Sequence, residues 1–467
     1  MSASVAAESS RVLERRAAVL PFPGSVGILL AISLSAHLAA LVHALFGKEL
    51  AATVYFLGAQ FALSIALLRL YNGVWVLQDI RVPIVVFMFL YGFTLPAISL
   101  ARSIALPGLS ETAFLYGTAF LAFNLVQWWY KQPWRNVPAE CFDSVRPTFA
   151  NTALILLSFA GIVGYARLMG TRSFLTFDRT QMHWLYTQAW VVSMIVMNAF
   201  VMYIFAGWPR LTRNARRLAA VTIVAFVIFH LGLGNRHAFL PMFAFLAGIV
   251  ASRRRATIGP RTISIAFFVF VVFMLVGVVR QMRAAPWLLY TTDRLLLVAE
   301  QNEFVMPIQT AMYYVADPPP LRYGMTYLSA PTAFIPRKLW PEKPVALSLQ
   351  FNFDKFGDVK TSGYAYTPVT EAYINFRFVG PFIVMSLVSL ATVFLVKHAR
   401  RRPMLYFLCF ALAFDFTRGD SAGFFYSFVV IGAAFALMEA VSRIEWAPKA
   451  LHRVWPPPDP AARFSGA

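Results

Sequence analysis

The sequence predicts an all-α, polytopic membrane protein of about twelve transmembrane helices, with one large, partly helical loop between the ninth and tenth. Three observations predict it. Of the 467 residues, 59% are hydrophobic and only 13% charged, and the mean hydropathy is +0.63; a soluble domain carries about 25% charge. Apolar stretches close to the roughly 20 residues that a helix needs to cross hydrocarbon recur along the chain. Lys and Arg fall between those stretches, dense on one side and sparse on the other.

The candidate spans are 25–46, 50–71, 82–100, 112–130, 149–169, 184–208, 216–234, 238–251, 263–283, 371–396, 403–417 and 421–441. The eighth and eleventh are short, which fits a tilted, extended, broken or re-entrant segment. With the N-terminus inside, the inner segments carry 24 Lys and Arg and the short outer segments seven. The reverse orientation inverts that bias, so both termini are expected in the cytoplasm. The division that follows is an inner segment 1–24, helices one to nine over 25–283, an outer loop 284–370, helices ten to twelve over 371–441 and an inner tail 442–467. Arg11, Arg15 and Arg16 before an apolar run resemble a signal peptide. However, the run from Ser25 to Phe46 is of spanning length and others follow, so it reads as a retained first helix.

The 44 Phe, 18 Tyr and 11 Trp suit lipid-facing surface and interfacial belts. The net charge of +20 sits in short clusters between apolar runs, not on one soluble face, so it reads as topology and not as nucleic-acid binding. Cys141 and Cys409 set no disulfide framework. There is no phosphate-binding Gly-rich loop with Lys-Ser/Thr, no Gly-x-Ser-x-Gly elbow and no metal-ligand spacing among the seven histidines. The expectation is a protein with no cofactor and no metal.

The loop 284–370 carries the chemistry-bearing surroundings. Its stretch up to Ala316 reads as a helix on the membrane surface or over a cavity. Asp317-Pro-Pro-Pro320 then stops it, and a Pro-rich turn follows over Phe334–Pro344. Aromatics and prolines set it apart from a floppy connector, because disordered linkers are aromatic-poor. Arginines recur along the same boundary: Arg236 between two helices, Arg280 and Arg283 at the start of the loop, Arg337 with Lys338 and Lys343 in the Pro-rich turn, Arg377 inside the tenth span, and Arg418 in Phe416-Thr-Arg-Gly-Asp420. A guanidinium fork matches phosphate oxygens, and several around one cavity suit a diphosphate. For any single one, snorkelling to a headgroup is the simpler role, and Arg377 also fits an ion pair with Glu371. Their recurrence on the face that positive-inside pressure should deplete is what carries weight. Glu371 at the mouth of the tenth helix and His237 beside Arg236 are the candidate bases. The simpler role for Glu371 is to complement a helix N-terminus, and for His237 to be a boundary histidine.

Gly234-Asn-Arg-His-Ala-Phe-Leu240, Phe334-to-Pro344 and Thr370-Glu-Ala-Tyr-Ile-Asn-Phe-Arg-Phe-Val-Gly380 together resemble the O-antigen or oligosaccharide repeat-unit polymerases of the Wzy type. The likeness covers residues 216–440 by motif and the whole chain by layout. The family pattern often has Gly where Arg377 stands. The resemblance implies a metal-independent glycosyltransferase in the bacterial inner membrane. Its donor and acceptor are polyprenyl-diphosphate-linked oligosaccharides, the growing glycan passes to a new lipid-linked unit on the periplasmic face, and a flippase and a chain-length regulator are partners. The resemblance carries Arg236, Arg337 and Arg418 over as diphosphate ligands, and Arg280 and Arg283 are expected to join them from their place at the same boundary. Glu371 or His237 takes the acceptor proton, and Trp287, Trp340, Lys343, Tyr364 and Tyr366 hold sugar. An O-antigen ligase acting on lipid A core shares this architecture. A lipid-linked sugar flippase is the rival from another class, although the sequence has no inverted repeat and no paired broken helices.

Overall fold

The computed structural model describes residues 50–72, 76–168, 188–232, 240–253, 304–335, 339–344, 346–357 and 365–443. Among them every regular element is helical. Six helices are long and apolar enough to cross a membrane: α1 (Leu50–Asn72), α2 (Arg81–Arg102), α3 (Leu109–Tyr130), α4 (Phe149–Leu168), the unit Pro368–His398 and the final helix Ser421–Arg443. The chain is a membrane protein by this measure. Between α4 and the loop lie α5 (Gln188–Ala206), α6 (Arg213–Gly232) and α7 (Leu240–Arg253). The expected spans 25–46 and 263–283 lie outside the described residues.

Two expected spans are broken. The tenth is not continuous over 371–396. It starts at Pro368, runs as α11 (Pro368–Phe376), passes through a 3-10 turn at Arg377–Val379, and resumes as α12 (Gly380–His398). Arg377 sits at φ +54, a conformation a non-glycine residue rarely adopts. Gly380 makes the break possible. A Cβ there would lie 2.1 Å from the Ala372 carbonyl oxygen, so only glycine lets the two segments approach this closely. The eleventh span divides into α13 (Pro403–Ala411) and α14 (Ala413–Arg418), and α15 (Ser421–Arg443) follows.

Helix α3 is the most buried of the six and lies between α1 and α12. Small residues allow the approach: a Cβ on Gly117 would overlap the Phe56 ring, and one on Gly92 the Tyr116 ring. Polar side chains link the same helices. Ser64 donates to Asn124 at 2.7 Å, and Gln127 donates to Ser389 Oγ at 2.9 Å and Thr392 at 3.1 Å. In an apolar medium such side chains need partners, and here each finds one across the helix interface. By contrast, Leu157, Val221 and Leu387 are each about two-thirds exposed, as lipid-facing residues are.

The described part of the outer loop is helical and packed down. Helix α8 (Met306–Ala316) lies against α2, α3 and α11. Helix α9 (Met325–Ser329) and the 3-10 turn Ala330–Phe334 lie on α15, where Phe334 stacks on Tyr426 with ring centroids 4.9 Å apart. Helix α10 (Leu347–Phe356) completes the loop. Tyr116 in α3 pairs with Thr367 at 3.0 Å, whereas Gln127, eleven residues further along α3, pairs with Ser389. At 1.5 Å per residue those contacts are about 16 Å apart. The loop and the start of α11 therefore mark one end of the bundle, and the Gln127 network the other.

Candidate active site

Helix α11 begins with Thr367 as its N-cap, whose hydroxyl accepts from the Thr370 amide at 3.2 Å, and Pro368 as its first residue. Glu371 follows in the first turn and is 1% exposed. Its Oε1 accepts from Thr326 Oγ1 at 2.7 Å and from Ser421 Oγ at 2.6 Å, and its Oε2 accepts from the Ser421 amide at 2.7 Å. Ser421 opens α15, so that amide is one of the donors a helix leaves without an internal partner. The carboxylate thus stands at two helix N-termini, where the dipoles favour negative charge. The complementing role expected for Glu371 is real, and it extends to a helix 50 residues away. Among the described residues Oε2 has this single donor, so one lone pair is uncommitted.

Asn375, one turn after Glu371, ties in the loop. Its amide donates to Thr326 Oγ1 at 2.7 Å and to the Glu371 carbonyl at 2.8 Å, and its Oδ1 accepts from the Gly324 amide at 2.8 Å. Gly324 is at φ +83 and Tyr323 before it at φ +46. A non-glycine residue held there stores strain of about 1–3 kcal/mol. The Asn375 clamp keeps the turn in place. Asp420 completes the frame: it caps α15 through the Gly423 amide at 2.7 Å and accepts from the Leu347 amide at 3.2 Å.

Glu371, Thr326, Tyr323 and Asp420 border a cavity of about 930 Å³. It lies between the loop and the ends of α11 and α15. Glu371 and Asp420 supply its acids, Arg322 and Lys343 its bases, Thr326, Ser329 and Thr332 hydroxyls, and Tyr323 and Tyr426 rings. The volume is at the upper end of the range for small-molecule sites. An enclosed carboxylate with an open lone pair can accept a proton from a bound hydroxyl.

The expected site residues separate into three groups. Glu371 and Lys343 line the cavity. Lys343 also has a structural role, because its ammonium donates to the Ala333 and Ile335 carbonyls at 2.7 and 3.0 Å. Arg418, Trp340 and Tyr366 do not line it. Arg418 closes α14 and acts on Asp415 in the same helix, and Trp340 lies in the turn that precedes Lys343. Tyr366 is not a sugar platform. It is 2% exposed, with Phe351 and Tyr314 against its ring, and its hydroxyl donates to Tyr314 at 2.8 Å. Arg377 does not pair with Glu371 either. Its guanidinium donates to the Pro319 carbonyl and lies 5.5 Å over the Tyr373 ring. Arg236, His237, Arg280, Arg283, Trp287, Arg337 and Tyr364 lie outside the described residues. Sequence reasoning missed Arg322, Thr326, Asn375 and Ser421. Only Asn375 carried a signal, four residues after Glu371 and so on the same helix face.

Among the described residues no group of three His, Cys, Asp or Glu is placed to hold a metal. Comparison with known proteins gives no match: no family model, no curated protein and no solved structure resembles the chain.

Proposed function

We propose that this chain is a membrane glycosyltransferase that polymerises polyprenyl-diphosphate-linked oligosaccharide repeat units on the periplasmic face of a bacterial inner membrane. The observation that carries the reading is the buried Glu371 carboxylate, fixed by three donors and bordering a cavity large enough for sugars. In this account an acceptor hydroxyl lies at Glu371 Oε2. Its oxygen attacks the anomeric carbon of the donor's reducing-end sugar as the bond from that carbon to the diphosphate oxygen breaks. The electron pair leaves with the polyprenyl diphosphate, and the hydroxyl proton passes to Glu371. The donor is already activated, so the reaction has no need of a nucleotide. Arg236, Arg280, Arg283 and Arg337 remain the proposed diphosphate ligands, from their recurrence in the sequence and, for Arg236 and Arg337, the family resemblance; Arg418, which does not line the cavity, is no longer among them.

Purified protein incubated with a lipid-linked repeat unit is expected to give a ladder of products differing by one unit. A single transfer onto lipid A core, with no ladder, would instead make it a ligase. A second reading has one observation in its favour. Two consecutive broken helices, 368–398 and 403–418, end near the cavity, and broken helices also build transporter sites. Movement of intact lipid-linked units across proteoliposomes, without elongation, would establish a transporter and remove the enzymatic reading.

A further inference from the structure

Four charged side chains among the described residues line the cavity, and three of them are held by two or three hydrogen bonds each. Lys343 donates to two carbonyls, Asp420 accepts from two backbone amides, and Glu371 accepts from three donors. Arg322 differs. One Nη1 hydrogen goes to Gln350 Oε1 at 2.7 Å, and Nη2 makes a long ion pair with Asp354 at 3.9 Å without a hydrogen bond. Nε and the remaining hydrogens have no hydrogen-bond partner among the described residues. Its side chain is a quarter exposed.

The position of Arg322 is fixed relative to Glu371. Its backbone amide donates to the Ile374 carbonyl at 3.2 Å, three residues after Glu371, and its carbonyl accepts from Met325 at 2.8 Å. Thr326, four residues on, donates to Glu371 itself. The strained Tyr323–Gly324 turn lies between them, clamped by Asn375. A guanidinium with donors to spare is therefore held at a set place in the cavity that Glu371 also lines.

Charge narrows what such a fork would receive. The described lining carries two cations and two acids, a formal balance of zero. Asp354 adds a further acid close to Arg322. A planar fork matches a carboxylate or a phosphate alike, but a diphosphate calls for several convergent cations, and the described surroundings, with no net positive charge, suit the singly charged carboxylate better. We propose that Arg322 receives the carboxylate of an acidic sugar, of the hexuronic-acid type, in the glycan whose hydroxyl is presented to Glu371. This inference rests on reading the cavity as a glycan site, and it adds the class of sugar.

The test is direct binding to the full-length protein in nanodiscs, with methyl β-glucuronide, methyl β-glucoside and inorganic phosphate as probes. The glucuronide is expected to bind about 10- to 100-fold tighter than the glucoside, the worth of a charged hydrogen bond. Arg322→Gln should bring it to the glucoside's affinity, Arg322→Lys should retain part of the preference, and Glu371→Gln should keep it. If Arg322→Gln does not fold, Arg322→Lys decides by whether the preference falls several-fold. Equal binding of the two glycosides, or a preference unchanged in the Arg322 variants, overturns the proposal. So does phosphate that displaces the glucuronide and depends on Arg322 as strongly, because the fork then serves a phosphate. Polymerisation of neutral units with no anion preference would remove only this inference. An Arg322-dependent preference in a protein that elongates nothing would remove only the enzymatic reading.

Discussion

Two charged sites lie at opposite ends of the bundle and are built on opposite principles. At one end Arg81 and Asp79 are fully buried, with Nη2 2.6 Å from Oδ2. Arg81 also donates to Asp79 through Nε, to Gln127 Oε1 and to the Gln132 carbonyl, and its Nη2 lies 3.5 Å from Asn72 Oδ1. Asp79 in turn accepts from Asn72 at 3.0 Å and from the Arg81 amide at 3.1 Å. Tyr406 clamps the same corner, accepting from the Ile80 amide and donating to the Gln78 carbonyl. Every polar atom of that ion pair has a partner among the described residues, and the corner joins α2, α3 and α13. At the other end Glu371 and Arg322 each keep an unused valence and face 930 Å³ of space. A buried charge is stabilised only by partners. A charge left partly unsatisfied beside a cavity is therefore the better candidate for ligand chemistry.

The comparison is easiest to break at its closed end. Arg81→Ala leaves Asp79 buried and unpaired, which should cost about 3–5 kcal/mol. The protein is expected to lose most of its thermal stability in detergent. An unchanged unfolding midpoint would mean that the corner is hydrated and not a structural joint. Next in size is the clamp at the open end. Asn375→Ala frees the Gly324 amide and Thr326, and should lower stability by about 1–3 kcal/mol. Because Thr326 also holds Glu371, elongation should fall further than that loss of folded protein explains. The two are compared by rate per folded molecule. The smallest effect is expected at Trp340, outside the cavity lining. Trp340→Ala should change stability by no more than about 0.5 kcal/mol and leave elongation within a factor of two. A large loss of elongation there would put Trp340 into the site.

Much of the bundle was readable in the sequence because hydrocarbon demands long apolar runs. Helices α1, α2 and α4 begin and end within two residues of the expected spans. The breaks were hidden for the same reason. Phe376, Phe378 and Val379 keep the hydropathy high through the turn at Arg377, and the need for Gly380 appears only when Ala372 is seen against it. Glu371 stood out as an acid at a helix mouth, but its partners did not. Thr326 and Ser421 lie 45 and 50 residues away and are ordinary residue types. Tyr366 shows the converse error. An aromatic in a loop has the same sequence signature whether it faces a ligand or, as here, packs on Tyr314 and Phe351. Arg322 was overlooked among the ten basic residues from Arg280 to Arg377 inclusive. Only its contacts set it apart.

The central claim is that the Glu371 carboxylate takes the acceptor proton. The most direct measurement is the single-turnover rate of Glu371→Gln on a lipid-linked repeat unit, alongside binding of the same unit. Gln keeps the shape and an acceptor for Thr326 and Ser421 but cannot take the proton. Binding is expected within a few-fold of wild type and transfer slower by about 10²–10⁴. Transfer at the wild-type rate with binding intact would contradict it.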